Sequence, residues 1–186
     1  MGTGEGGGAP DAVVYAVDEL DRIAWTNEAW DRFALANDSP HVRASEIVGT
    51  VLWRHVSDDT LSTLLRKLFS RARSLRRPLS LTCRCDGIHV RRDLRLELHA
   101  PEGKTVQVRS IVTSEVRRYL PFATGEPSAL LRVCSWCNRV DVASQWVELE
   151  AAAEELRLLH GPYYPAMTHT ICSPCVEVLE AEIAQP

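Results

Sequence analysis

The sequence predicts an α+β protein in two bodies: a five-stranded antiparallel sheet covered by helices, followed by a small helical module built around cysteines. Three observations carry that expectation. Within residues 11–118, apolar side chains alternate with polar ones at both ends and recur at helical spacing in the middle, which gives two strands, several helices and three strands. Tyr119-Leu120-Pro121-Phe122-Ala123-Thr124-Gly125-Glu126-Pro127 then interrupts any regular element. Finally, two C-x2-C pairs stand in the remaining stretch, and the charge balance changes with them. Residues 1–120 carry 18 basic and 16 acidic side chains, whereas residues 121–186 carry 3 and 9. The predicted division is a tail at 1–10, a first domain at 11–118, a linker at 119–127 and a cysteine module at 128–186.

The elements follow in order. Val13-Val14-Tyr15-Ala16-Val17 and Arg22-Ile23-Ala24-Trp25-Thr26 are β-rich runs separated by Asp18-Glu19-Leu20-Asp21, a hairpin pattern. Asn27 is placed to cap a helix with Trp30, Phe33 and either Ala34 or Leu35 on one face, ended by Asn37-Asp38-Ser39-Pro40. Ile47, Val51 and Leu52 form a short amphipathic stretch broken near Gly49. Ser57-Asp58-Asp59 opens a longer helix with Leu61, Leu64, Leu65, Leu68 and Phe69 inward. From Pro78 the period becomes two: Leu79, Leu81, Cys83 and Cys85 share one face of a strand, Leu94, Leu96 and Leu98 one face of the next, and Val106 and Val108 one face of the last.

Cys134-Ser135-Trp136-Cys137 and Cys172-Ser173-Pro174-Cys175 lie 34 residues apart. Each pair presents two thiolates from one tight turn, and two such turns together supply the four sulfur ligands of a tetrahedral zinc ion. Cys134, Cys137, Cys172 and Cys175 are therefore the expected metal ligands, with a redox or disulfide role, or unliganded buried thiols, as the alternatives. A four-thiolate zinc has no open position for water, so the expected role is structural. His169 and His160 are near enough in sequence to substitute for a cysteine, and His169 to support one, against the alternative that His169 is an exposed loop histidine. Between the pairs, Trp146, Leu149, Ala153, Leu156 and Leu159 predict a helix over 144–159, and Val176, Leu179 and Ile183 predict a final one.

Within the first domain, roughly residues 13–114 resemble a PAS sensory domain. The resemblance rests on Val17-Asp18 through Arg22-Ile23 with Asn27-Glu28-Ala29-Trp30, on Ile47-Val48-Gly49 with Trp53 and Val56-Ser57-Asp58-Asp59, and on Arg84-Cys85-Asp86 followed by Arg91-Arg92 and the Leu94-Leu96-Leu98 strand. It implies sensing of a small ligand or docking of a signalling partner, and a homodimer. The ligand stays open: the Asn-Cys-Arg-Phe-type motif of flavin light sensors is missing, and Cys83 and Cys85 read as buried side chains, with a covalent chromophore or redox pair as the alternative. His55 is the haem-ligand candidate of the helical section, against a plain hydrogen-bonded histidine. The cysteine segment is similar to a module at the end of bacterial PAS proteins, sensor kinases and response regulators, through Cys134-Ser135-Trp136-Cys137, Trp146 with Leu149-Glu150, and Thr168-His169-Thr170-Ile171-Cys172-Ser173-Pro174-Cys175. That similarity implies a signalling context and no reaction.

Several classes are excluded or set aside. The chain has no Gly-rich phosphate loop, no G-x-S-x-G elbow and no kinase signature set, so no enzyme is expected. No apolar run reaches membrane-spanning length, and the Gly-rich start lacks the regions of a secretory signal, so a cytoplasmic protein is expected. Residues 66–95 hold ten basic and two acidic side chains. They offer a DNA-contacting rival, a transcription-associated regulator, which the near-neutral composition and the lack of interleaved aromatics disfavour.

Overall fold

The computed structural model describes residues 12–37, 39–75, 77–87, 90–101, 104–117, 130–156 and 166–185. The expected tail at 1–10 and linker at 119–127 lie outside them. In the first segment, β1 (Val13–Val17) and β2 (Ile23–Thr26) form the expected hairpin. Helix α1 (Glu28–Ala36) starts at Asn27, whose side chain accepts from the Trp30 N–H. A 3₁₀ turn at Pro40–Val42, the short α2 (Ala44–Ile47) and a second 3₁₀ turn at Leu52–His55 make up the helical middle. Helix α3 (Asp59–Ser74) is capped by Asp58, which accepts from the Leu61 N–H at 2.6 Å. Three strands follow: β3 (Leu79–Arg84), β4 (Val90–His99) and β5 (Val106–Arg117).

These strands form one antiparallel sheet in the order β2-β1-β5-β4-β3, with the helices inserted between β2 and β3. This is the strand and helix order that the PAS resemblance implies. The register explains the burial: Leu79 opposes Leu98, Leu98 opposes Val108, and Val108 opposes Tyr15, so one face collects the apolar side chains. Leu61, Leu64, Leu68, Phe69 and Ala72 of α3 cover that face, and Ile47, Leu52 and Trp53 fill it further. Trp53 meets Phe69 edge-on at 5.3 Å. Its indole N–H donates to Asp21 Oδ2 at 2.6 Å, while Arg73 donates to Asp21 Oδ1 at 2.9 Å. One carboxylate thus ties the β1–β2 turn to α3.

The cysteine segment departs from the helical expectation. It contains a four-stranded sheet in the order β8-β7-β6-β9, made of β6 (Leu130–Cys134), β7 (Val140–Val142), β8 (Gln145–Val147) and β9 (Ala166–Thr170). β6 and β9 run parallel, and the other pairs are antiparallel. Only α4 (Leu149–Glu155) and α5 (Ser173–Ala184) are α-helical in this segment among the described residues. The helix expected over 144–159 therefore begins at 149. Ala143 and Ser144, at φ 48° and 69°, close a two-residue turn between β7 and β8, and Trp146 becomes a strand residue opposite Asp141.

The two segments share a hydrophobic cluster. Trp136, Ile171, Cys172, Cys175 and Leu179 are buried with Leu68, Phe69, Leu79 and Leu81, and α5 lies against α3.

Candidate metal centre and its junction with the sheet

Parallel pairing of β6 and β9 sets Cys134 beside Thr170, so the two strands deliver both cysteine pairs to the same end of the small sheet. The first pair sits on a tight turn. Cys134 N–H donates to the Arg139 carbonyl at 2.8 Å, Asn138 N–H donates back to the Cys134 carbonyl at 2.9 Å, and Asn138 takes the left-handed conformation (φ 56°) that closes it. The second pair opens α5: Cys172 is its N-cap, Pro174 occupies the first turn, where no intrahelical N–H bond is lost, and Cys175 N–H donates to the Cys172 carbonyl at 3.0 Å. Ser135 N–H donates to the Thr170 carbonyl at 2.7 Å and fastens one turn to the other.

The four sulfur atoms lie within 4.8 Å of one another. Cys137 and Cys172 Sγ are 3.8 Å apart. Thiolates about 2.3 Å from one tetrahedral ion are separated by about 3.8 Å, so the donor set has the size a zinc ion needs. Cys134, Cys172 and Cys175 are buried and Cys137 is half-buried, which closes the site to bulk water. Cys134 Sγ also lies 3.5 Å from the Trp136 N–H and 3.4 Å from the Cys172 N–H. Hydrogen bonds from Cys137 and Cys175, helped by the Cys172 N–H and opposed by burial, hold the Cys134 thiol far below its ordinary range. The cost falls on its neighbours. Cys137, donating to Cys134, is pushed up to about 11, and Cys175 is raised as well, first by Cys134 and then by Cys137. Four thiols this close do not all ionise without a cation among them, and the cluster is compatible with a divalent ion.

The other expected site residues fall elsewhere. His169 is exposed on β9 and is not part of the sulfur cluster. His160 lies outside the described residues. His55 is exposed, with its Nε2 2.8 Å from Thr50 Oγ1. Cys83 is half-buried against the core, where burial and then Cys85 push its thiol up to about 12. Cys85 is half-buried too, and raised chiefly by burial. An open recess of about 560 Å³ adjoins the start of α1, lined by Val14, Asn27, Ala29, Arg32, Gln107 and Arg109 among others.

No protein-family model and no curated protein match this chain. Among solved structures, the PAS domain of the Cronobacter turicensis RpfR quorum-sensing receptor in complex with C12:0 aligns at a TM-score of 0.42 and 8% identity, over 59% of this chain and 100% of that one. The same domain in complex with BDSF aligns at 0.42 and 9% identity over the same shares.

The junction between centre and sheet is built from contacts that no sequence motif marks. β3 is an edge strand, and its Arg84 N–H donates to the Trp136 carbonyl at 2.8 Å. The Arg84 guanidinium, only 7% exposed, pairs with Asp86 and with Glu148. Glu148 precedes α4 and also holds Arg139 at 3.1 Å and Arg91 at 3.5 Å, so one carboxylate joins arginines of both segments. Burial alone would raise the Glu148 carboxyl, but hydrogen bonds from Arg139 and Arg84 outweigh it and hold it below the usual carboxylate range. The sequence signals are Trp136 between two paired cysteines and acidic Glu148 set against a basic first segment.

Proposed function

We propose that the chain is a non-catalytic signalling protein in which a PAS-like domain, residues 11–118, binds a small ligand or a protein partner and is coupled to a module, residues 128–186, held by structural zinc. The observation that carries the reading is the convergence of Cys134, Cys137, Cys172 and Cys175 within 4.8 Å, inside a cluster continuous with the PAS-like core. These residues would hold the ion, and the ion would contribute folding free energy to a segment with little core of its own. A closed four-thiolate shell leaves no site for a reacting water.

The DNA-contacting rival fits less well. Arg66 and Arg73 pair with Asp21, Arg84 with Asp86 and Glu148, Arg91 with Asp93 and Glu148, Arg92 with Glu115 and Arg95 with Glu97. Most of the basic segment is thus matched by local carboxylates. A thiol redox sensor is disfavoured by the burial of three of the four clustered cysteines.

Native mass spectrometry of the full chain purified without added metal tests the reading. A zinc adduct on the folded chain is expected, and a retained small molecule or protein adduct would identify the occupant of the PAS-like domain. A bare folded chain would overturn the metal assignment. Salt-dependent binding of mixed-sequence duplex would replace the signalling reading with the regulator.

A further inference from the structure

We propose that the four-thiol centre clamps the open edge of the PAS-like sheet, with Trp136 as the positioning residue that carries metal occupancy across to β3. The inference rests on the zinc reading above.

The sheet order β2-β1-β5-β4-β3 leaves β3 as an edge, with outward backbone groups that no sixth strand takes up among the described residues. At Arg84 the Trp136 carbonyl takes up the N–H, at 2.8 Å. Trp136 lies between two ligands of one pair, and its own N–H points to Cys134 Sγ at 3.5 Å. The ligand turn therefore sets both where its carbonyl points and where its indole sits. The indole is buried, 6% exposed, in the cluster that includes Leu79 and Leu81 of β3.

The second cysteine pair forms the other arm. Cys172 and Cys175 begin α5, whose Leu179 is fully buried in the same cluster, and whose Ile183 carbonyl accepts from Arg71 of α3 at 3.3 Å. An ion joining the two pairs would hold one arm against the edge of β3 and the other against α3. Loss of the ion leaves the two arms joined through the β6–β9 pairing and the Ser135–Thr170 hydrogen bond, without the sulfur bonds that fix one ligand turn against the other. The loosening should then be graded, strongest at β3 and α3 and absent at β1, which is separated from β3 by β5 and β4.

Hydrogen exchange read by mass spectrometry on the full chain decides this, with zinc content measured in the same samples before and after EDTA treatment. Removing zinc is expected to speed exchange in peptides covering β3 and α3 by about tenfold, to leave β1 and α1 unchanged, and to be reversed by added zinc. Trp136→Ala is expected to keep one zinc per chain while reproducing the faster exchange at β3. Trp136→Phe, which retains an aromatic ring, recovers part of the protection and serves if the alanine variant does not fold. Zinc loss without any change at β3 overturns the clamp and leaves the zinc assignment standing. Equal loss of protection across β1 and α1 also overturns it, because the effect is then global. A purified chain without zinc overturns the zinc reading and the clamp with it.

Discussion

Replacing Glu148 by Gln isolates the polar half of the junction. The substitution keeps the size and one oxygen acceptor but removes the charge that faces Arg84, Arg91 and Arg139. Breaking a fully buried ion pair costs about 3–5 kcal/mol. Here the cost is smaller for two reasons. Arg84 keeps Asp86 as a partner, and Glu148 is 35% exposed, so water screens its pairs and replaces part of what is lost. A loss of about 1–2 kcal/mol follows, read as a lower urea midpoint at unchanged slope in zinc-saturated protein near pH 7. The acid dependence has a definite sign. Because the folded-state Glu148 carboxyl is held below the usual carboxylate range, its contribution is complete above the ordinary glutamate value of about 4.3 and is lost as pH falls through the lower folded value. The gap between wild type and Glu148→Gln should therefore be full at neutral pH and narrow in acid. A gap under about 0.5 kcal/mol at pH 7, or one that widens in acid, would refute the assignment of Glu148 as the shared partner.

Three other outcomes check the remaining packing and chemistry. Leu68 is fully buried between α3 and the sheet, so Leu68→Ala should cost about 2–5 kcal/mol in urea unfolding, and a cost below about 1 kcal/mol would place it outside the core. Asp58→Ala removes the cap of α3 and should cost about 1 kcal/mol in the same assay, with Asp58→Asn recovering most of it. Cys83, with its thiol pushed up to about 12, should be alkylated by iodoacetamide at pH 8 far more slowly in the folded protein than in urea, and equal rates by mass spectrometry would contradict its burial.

Much of the larger sheet is legible in the sequence because one face of it is buried and the other is not. That asymmetry writes a period of two through Leu79–Arg84, and the one-sided burial of α3 writes Leu61, Leu64 and Leu68 at helical spacing. The cysteine spacing is legible for a chemical reason, since a four-sulfur site built from two turns needs paired thiols. The small sheet is not. Its β7–β8 turn is closed by Ala143 and Ser144 at positive φ, where glycine or asparagine would have announced a hairpin, and Trp146 and Leu149 fit a helical period as well as a strand followed by a helix. β6 and β9 are five residues each and pair across more than thirty positions, so neither carries its own signal. Arg84 reads as one member of a basic surface run, but its burial depends on Glu148, 64 positions away, which no local pattern encodes.

The central claim is that four cysteines from two strand ends form one zinc site that belongs to the folded chain. Metal analysis of the 186-residue chain, purified without added metal and compared with Cys134→Ser and Cys172→Ser, tests it most directly. The account predicts one zinc per wild-type chain and its loss in both variants. A folded wild-type chain without zinc, or one whose zinc survives both substitutions, would contradict it.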